Sequence, residues 1–379
     1  MNPSNAIAAA SHADPYPYYR ALLAGPDLLF DSDLKLWVAS RAAVIQEVMA
    51  NPHCLVRPPA EAVPKALAGS CAGAVFGQLA RMNEGAAHAS ARQAIGQALA
   101  TLDLHAVTER SAHFAAVLGK RRGAGLTAFV FDLPTWVVAD LLGIVDAELP
   151  QAAASMADFV RCLSPLSTPE QLASASIAAR AMLARFGAPA PGSLADTVWR
   201  QGGWSSHDAI RANLVGLLSQ THEASAGLIG NCMVALRTQP GMQALLRAEP
   251  QLVRDFVREV ARHDPAVQNT RRFVAQPTTV AGVALQPGAA ILLLLAAASR
   301  DDSANSQADV FLLERAERQL PGFGHGRHAC PGQQLAFAIA EGALPYLLAQ
   351  DLDTLSWTYA PSANARLPQF LSSTPKGQP

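Results

Sequence analysis

The sequence predicts a mainly α-helical protein with a minor β region, arranged as one domain over residues 1–379. A nearly unbroken apolar pattern at 208–237 predicts a long central helix of about 30 residues, more than twice the ordinary length. Alternation of apolar and polar residues around a Pro-Gly turn at 270–295 predicts a small sheet. No internal repeat and no linker divides the chain, which favours a single domain.

The N-terminal part begins with short elements and then becomes helical. A turn and a short helix are predicted at 13–23, and two strands around a polar turn follow at 28–40. Prolines at four positions make 52–70 an irregular loop, able to act as a mobile cover. Helical patterns are predicted at 41–50, 73–100, 104–122 and 126–146.

The C-terminal part contains a shorter helix and strand-like pieces. Alanine-rich helical pieces with Pro, Gly and Ser breaks fill 147–204, and a helix at 249–264 ends before Pro265. The most apolar run, 289–299, is about half the roughly 20 residues that a membrane span needs, so we expect a buried strand. Strand-like pieces follow residue 351.

Composition excludes several classes of protein. The net charge is −1 and 16% of residues are charged, which gives no argument for a nucleic-acid or membrane partner. The N-terminus has neither the basic nor the apolar region of a signal peptide. An odd, scattered set of cysteines favours a reducing, cytoplasmic location over a disulfide framework. They are Cys54, Cys71, Cys162, Cys232 and Cys330.

A glycine-rich loop at 321–336 contains Cys330 immediately before a helical pattern. Backbone N–H groups and the dipole at a helix start favour a thiolate, and Arg327 and His328 add positive charge. A thiolate in such a loop suits a metal ion held through one sulfur atom. A lone cysteine in a glycine-rich loop is, however, more often structural.

Glu259 and Arg262 are three residues apart on a predicted helix and therefore share one face. Solvated pairs of this kind are common and contribute little to stability. The pair gains meaning only together with the loop at Cys330.

The loop, the Glu259-x-x-Arg262 pair and the long helix together resemble the cytochrome P450 superfamily, in its soluble bacterial class. Phe323 to Gly332 matches the family signature Phe-x-x-Gly-x-x-x-Cys-x-Gly throughout. The resemblance covers nearly the whole chain. It implies the P450 fold, with the long central helix crossing over a haem.

The resemblance implies haem b (iron protoporphyrin IX) with Cys330 as the axial thiolate on the metal. Phe323, Gly324 and Gly332 would then belong to the cofactor-binding loop. Glu259 and Arg262 would belong to a structural triad. Its third member is either Arg315 or Arg318, and the sequence does not choose between them.

Four basic residues match the family's contacts to the haem propionates. His88 and Arg92 lie four apart on a predicted helix and share a face. The family often has a further basic residue between them, where this chain has Ser90. Arg272 matches a strand arginine, and His328 precedes the cysteine by two residues. Each alone would be an ordinary surface charge or core histidine.

The long helix departs from the family pattern where it would cross the haem. The family usually has Ala-Gly-x-Glu/Asp-Thr, and this chain has Gln220-Thr221-His222-Glu223-Ala224. Glu223 keeps the acid, but the alcohol that normally helps to deliver protons is replaced by Ala224. Thr221, one turn earlier, could supply a hydroxyl.

Three further possibilities concern the same stretch. Ser225 points about 100° away from Ala224 and is less suited to replace the hydroxyl. A substrate hydroxyl could serve instead. Gln220 would hydrogen-bond a polar group of the substrate, or it faces a neighbouring helix and the change at Ala224 is neutral.

The first functional hypothesis is a monooxygenase that uses O2 on a small organic molecule in bacterial secondary metabolism. Electrons would pass from NAD(P)H through a separate ferredoxin reductase and ferredoxin, received on a basic face containing Arg81, Arg92 and Arg327. Substrate contacts are expected from 54–82, 160–190, the long helix, 267–270 and a turn near Phe370.

Two alternatives remain open. An atypical haem-thiolate enzyme would catalyse desaturation, coupling, peroxide use, rearrangement or dehydration, as the altered stretch 220–224 suggests. A catalytically silent haem- or substrate-binding protein is the other alternative, and the intact cysteine loop argues against it.

Overall fold

The computed structural model describes residues 2–121 and 125–371. These residues form helices around one long central helix, with small sheets at the side, which confirms the predicted mainly α fold with a minor β region. The helices are α1 (Tyr16–Leu23), α2 (Ala42–Ala50), α3 (Cys71–Gln78), α4 (Gly85–Leu99), α5 (Leu104–Gly119), α6 (Leu126–Leu141), α7 (Leu149–Phe159), α8 (Pro169–Arg185), α9 (Leu194–Arg200), α10 (His207–Thr238), α11 (Met242–Ala248), α12 (Val253–His263), α13 (Leu295–Ser299) and α14 (Gln333–Leu348).

The strands form one five-stranded sheet and two hairpins. They are β1 (Leu28–Asp31), β2 (Leu36–Ala39), β3 (Cys54–Leu55), β4 (Thr270–Val274), β5 (Thr278–Val280), β6 (Val283–Leu285), β7 (Ala290–Leu293), β8 (Ser356–Tyr359) and β9 (Pro368–Leu371). The large sheet has the order β1-β2-β7-β4-β3, with β2 and β7 parallel and the other pairs antiparallel. β5 pairs with β6, and β8 with β9.

The long helix α10 spans 32 residues, as the apolar pattern predicted. The side chain of Ser206 caps its N-terminus by accepting a hydrogen bond from the Ala209 N–H. Most of its residues are buried, and it packs against α3, α6, α12 and α14. A Cβ at Gly227 would lie 2.7 Å from Ala266 Cβ, so only glycine allows this close approach.

Helix α14, which follows the cysteine loop, packs closely on α5. A Cβ at Gly342 would lie 2.3 Å from the Thr108 carbonyl oxygen, and Ser111 Oγ donates to the Ile339 carbonyl at 2.7 Å. Because α14 begins just after the loop, this packing fixes where the loop leaves the core.

Two predicted elements differ from the structure. The helical pattern at 73–100 is divided into α3, a 3₁₀ turn at Ala80–Met82, and α4, which begins at Gly85 with φ +65°. The run at 289–299 is buried as predicted, but only β7 is strand and α13 follows. A continuous apolar run does not distinguish a buried strand from a buried helix, and alanines favour the helix here.

Other bounds shift by a few residues. The helix predicted from 249 begins at Val253, and the loop at 52–70 contains β3 and a short 3₁₀ turn. Arg122, at the end of the helix predicted over 104–122, lies outside the described residues. No helix among residues 2–121 and 125–371 is both long and apolar enough to cross a membrane.

Glu259 is the centre of a buried ionic cluster. Arg262 donates to both carboxylate oxygens, at 2.7 and 3.0 Å, and both side chains are 0% exposed. Arg318 Nε lies 3.1 Å and Arg315 Nε 3.4 Å from Oε2, so both candidates for the third member contact the carboxylate. Burial alone would raise the pKa of Glu259, but these arginines and the Leu312 N–H lower it.

Replacing Glu259 by glutamine should destabilise the fold by about 3–5 kcal/mol, because buried guanidinium groups lose their counter-charge. Urea unfolding checks this. Asp208→Asn, which breaks the exposed pair with Arg211, is the control and should cost less than about 1 kcal/mol. Equal effects of the two variants would contradict the central role of the cluster.

Candidate functional site

A cavity of about 310 Å³ lies between α10 and the cysteine loop. The loop contributes Phe323, Gly324, Cys330 and Gly332, and α14 contributes Leu335 and Ile339. Helix α10 forms the opposite wall. The structure therefore places the predicted loop residues directly across from the altered stretch of the long helix.

The loop turns Cys330 into this cavity. The Cys330 N–H donates to the Phe323 carbonyl at 2.8 Å, and Gly324 has φ +74°, a conformation that favours glycine. A Cβ at Gly322 would lie 2.9 Å from Pro265 Cβ. The exposed surface of Cys330 thus faces the interior of the cavity, while protein surrounds the residue.

Burial raises the pKa of the Cys330 thiol, and the Gly332 N–H and the charge of Arg92 act in the opposite direction. A backbone N–H at the start of α14 acts on the sulfur, as predicted, but the cation that does so is Arg92 and not Arg327 or His328, which bind Glu84. In the protein alone this N–H and Arg92 do not outweigh desolvation, so a cation bound at the sulfur would be needed to hold the thiolate.

The four predicted propionate contacts also line the cavity. The rings of His88 and His328 lie 4.1 Å apart, and His88 places its two nitrogens 2.9 and 3.0 Å from the carbonyl oxygens of Ala80 and Arg327. Arg92 donates to the Ala329 carbonyl, and Arg272 to its neighbour's carbonyl. Residues from α4, β4 and the loop thus meet at one end of the cavity.

These residues fit the haem that the resemblance implies. The Nε atoms of Arg92 and Arg272 are buried without a hydrogen-bond partner among the described residues. Burial lowers the pKa of Arg272 to about 10, and Glu84 only partly opposes this. Such arginines suit an anionic group held between them, and carboxylates are the anions that arginine binds with two parallel bonds.

Glu84 is a site residue that the sequence analysis missed. It accepts hydrogen bonds from Arg327 Nε at 3.0 Å and from the Val56 N–H, and His328 Nε2 lies 3.1 Å away. Burial alone would raise its pKa, but these contacts lower it to about 2. The adjacent cations Arg327 and His328 imply an acid nearby, although spacing along the chain does not identify it.

The predicted basic face at Arg81, Arg92 and Arg327 is wrong. Arg81 and Arg92 line the cavity, and Arg327 points inward. Besides Glu84, Arg327 binds carbonyl groups of Met49, Asn51 and Cys54, which ties the cysteine loop to α2 and β3. Charge in the sequence does not reveal whether carbonyl groups will surround a guanidinium.

Helix α10 faces the cavity over an arc of about 140°, from Gln220 through Ala224 to Ser225, at 100° per residue. Thr221 and Ser225, four residues apart, lie together on this face. Ser225 does lie about 100° from Ala224, as expected, but it still lines the cavity because the facing arc is wider than one residue. Gln220 lines the cavity and its Nε2 donates to the Gly216 carbonyl.

Glu223 falls outside this arc and does not line the cavity. Burial raises the pKa of its carboxyl group, while the charges of Arg81 and Arg161 lower it. His222 faces α6, where its Nδ1 lies 3.0 Å from Thr135 Oγ1. Burial lowers the pKa of His222 to about 4, so this histidine is neutral and joins α10 to α6.

The predicted substrate contacts are met in part. Ala80, Arg81, Val267 and Thr270 line the cavity, as expected for 54–82 and 267–270. No residue of 160–190 does so, and Leu194 of α9 lies there instead. Phe370 is also absent from the wall, because it is buried against α6 with its N–H bonded to Thr127 Oγ1.

Stability at low pH should report the environment of Glu84. A carboxyl group whose pKa is lowered by folding stabilises the folded state above its unfolded pKa, near 4.5, and loses that effect as the pH falls towards 2. We expect Glu84→Gln to cost on the order of 2 kcal/mol at pH 7, and progressively less below about pH 4.5.

Urea unfolding of the wild type and Glu84→Gln between pH 7 and pH 3 checks this. Glu109→Gln is the control, since that side chain is 70% exposed. A Glu84→Gln effect that stays constant over the whole range would contradict the lowered pKa.

Comparisons with known proteins agree with this geometry. The family model described as Cytochrome P450 matches residues 206–369. The putative cytochrome P450 133B2 of Xylella fastidiosa (strain 9a5c) is 28% identical over 250 residues, 61% of this chain and 62% of that protein. The biotin biosynthesis cytochrome P450 of Bacillus subtilis (strain 168) is 26% identical over 266 residues, 65% of each chain. The match thus spans less than two thirds of these relatives.

The fold is that of solved P450 structures. The crystal structure of P450BioI in complex with an acyl carrier protein ligated to hexadec-9Z-enoic acid superimposes with a TM-score of 0.82 at 23% identity, covering 94% of this chain and 97% of that one. This fold and family imply haem b bound through an axial cysteine thiolate. The family model and the related sequences show that the chain is similar to the cytochrome P450 superfamily, and the shared fold agrees with this similarity.

Proposed function

We propose that this chain is a haem-thiolate monooxygenase acting on a small organic molecule. The observation that carries the proposal is the placement of Cys330 in a cavity whose opposite wall is α10 and whose end holds four basic residues. That arrangement offers a sulfur ligand, cations for the propionates and room for a substrate in one enclosed space.

Cys330 would hold the iron, and His88, Arg92, Arg272 and His328 would hold the propionates. Phe323, Gly324 and Gly332 would form the loop around the sulfur. Bound haem would supply an iron centre for the activation of O2, with a thiolate that favours O–O cleavage. The chain's own residues contribute a mostly apolar wall, which would limit the access of bulk water to the reacting group.

Proton delivery in this chain differs from the family pattern. Ala224 offers no hydroxyl, but Thr221 and Ser225 both present theirs on the cavity face of α10. Thr221 Oγ1 donates to the Leu217 carbonyl at 2.8 Å and keeps its lone pairs for a second partner. Glu223, with its raised pKa, would pass protons from the neighbouring face of the helix.

Electrons would come from NAD(P)H through a separate ferredoxin reductase and ferredoxin, and the substrate would belong to bacterial secondary metabolism. These assignments rest on the resemblance to bacterial family members. An enzyme that desaturates, couples or rearranges without inserting oxygen is the second candidate, favoured by Ala224 alone.

Replacing Cys330 by serine should abolish the 450-type carbon monoxide band of the reduced protein, because a serine oxygen is a weaker donor to iron than a thiolate. Absorption spectra of haem-loaded protein check this. Cys71→Ser, at a half-buried cysteine outside the cavity, should keep the band. Survival of the band in Cys330→Ser would exclude Cys330 as the ligand.

A matched pair at Ala224 separates the two candidate functions. Ala224→Thr restores a hydroxyl, and Ala224→Val adds the same bulk without one. If proton delivery limits oxygen insertion, the threonine variant should give more oxygenated product for each O2 consumed, and the valine variant should not.

The measurement uses labelled O2, surrogate ferredoxin partners and compounds that shift the haem spectrum. Labelled oxygen in the product supports the monooxygenase. Product that carries no labelled oxygen although O2 is consumed, as in desaturation or coupling, or turnover without O2, as in rearrangement, would overturn it in favour of the second candidate.

A further inference from the structure

Arg81 is a cavity residue that the propionate contacts do not account for. It lies in the 3₁₀ turn Ala80–Met82 between α3 and α4, and its side chain lines the cavity. Its Nε is buried without a hydrogen-bond partner. Within 2–121 and 125–371, no carboxylate forms an ion pair with its guanidinium group.

The other two arginines of the cavity wall have partners. Arg92 donates to the Ala329 carbonyl and Arg272 to the Arg271 carbonyl. Burial lowers the pKa of Arg81, and Glu223 and Cys162 oppose this only from a distance. A guanidinium group stays charged in proteins, so the turn holds a cation at the cavity wall that no carboxylate of the described residues contacts directly.

The turn that carries Arg81 is bonded to α10. The Ala80 N–H donates to Asn213 Oδ1 at 2.8 Å, and Asn213 Nδ2 donates to the Gln78 carbonyl at 2.9 Å. Arg81 therefore lies at the side of the cavity formed by α10, where a substrate would lie. The neighbouring amide of Gln220 is exposed on the same wall.

Apart from Gln220, Thr221 and Ser225, that wall is apolar. Val138, Leu194 and Leu217 line it together with Leu228. A ligand that fits both the cation of Arg81 and the apolar residues has an anionic head group and an apolar body. Carboxylates match the planar fork of arginine with two parallel hydrogen bonds, and burial strengthens such bonds.

We propose that Arg81 anchors the carboxylate of the substrate, so that the site takes an organic acid with an apolar body. Gln220 would donate a further hydrogen bond to the same head group. The inference rests on the proposed function in one respect, namely that haem at Cys330 leaves the side of the cavity at α10 for the substrate.

Binding of matched acids and amides tests the proposal. Haem-loaded wild type, Arg81→Gln and Arg81→Lys are titrated calorimetrically at pH 7 with phenylbutanoic acid, decanoic acid and their primary amides. The wild type should bind an acid about 10- to 100-fold more tightly than its amide, as expected for a charged hydrogen bond. This preference should vanish in Arg81→Gln and survive in part in Arg81→Lys.

Arg161→Gln is the matched control, because Arg161 also acts on Glu223 but is exposed and does not line the cavity. It should keep the full preference for acids. Loss of the preference in this control as well would assign the effect to the charge around Glu223 and overturn the anchor.

Three other results would also overturn it. They are equal binding of acid and amide by the wild type, no binding of any acid in the series, and loss of haem from Arg81→Gln with the preference intact. The last would make Arg81 a propionate contact. The carbon monoxide spectrum is recorded on the same samples, so failure of the thiolate assignment is seen separately from failure of the acid preference.

Discussion

The buried carboxylate of Glu259 is the interaction on which the position of the cysteine loop depends. It joins α12 to the segment that leads into the loop, since Arg262 also binds the carbonyl groups of Ser299, Ala308 and Val310. A buried ion pair gains little over apolar residues of the same size, but loss of one partner is costly. The cluster therefore acts mainly by specifying one path for the chain before Cys330.

Glu84 performs the equivalent task within the loop. Through Arg327 and His328 it ties the loop to the start of α4 and to β3, while α14 is held by its packing on α5. The Glu259 cluster, the contacts of Glu84 and the packing of α14 on α5 thus fix the position of Cys330. The cavity around its sulfur is therefore formed before any ligand binds. Such preorganisation is what a cofactor site requires of the protein.

The sequence predicts the parts of this arrangement that depend on local pattern. The length of α10, the loop around Cys330 and the Glu259–Arg262 pair follow from periodicity, glycine placement and spacing. The division of the helical pattern 73–100 into two helices cannot be predicted in this way. It depends on Gly85, with φ +65°, and on the hydrogen bonds of Asn83 to the carbonyl groups of Gly77 and Leu79. The role of Glu84 depends on the approach of segments far apart in the chain.

The distribution of counter-charge separates the cations that hold the structure from those that face a ligand. Arg262 and Arg327 each have a carboxylate and several carbonyl groups, so they are satisfied by the protein. Arg81, Arg92 and Arg272 line the cavity, and the Nε atom of each is buried with no hydrogen-bond partner in 2–121 and 125–371. Since an unpaired buried charge destabilises the fold, these three positions are best explained by anions that come from outside the chain. Arg92 acts on Cys330 and Arg272 on Glu84, whereas the turn that carries Arg81 is bonded to α10 through Asn213. The proposed cofactor end and the proposed substrate side thus each have cations of their own.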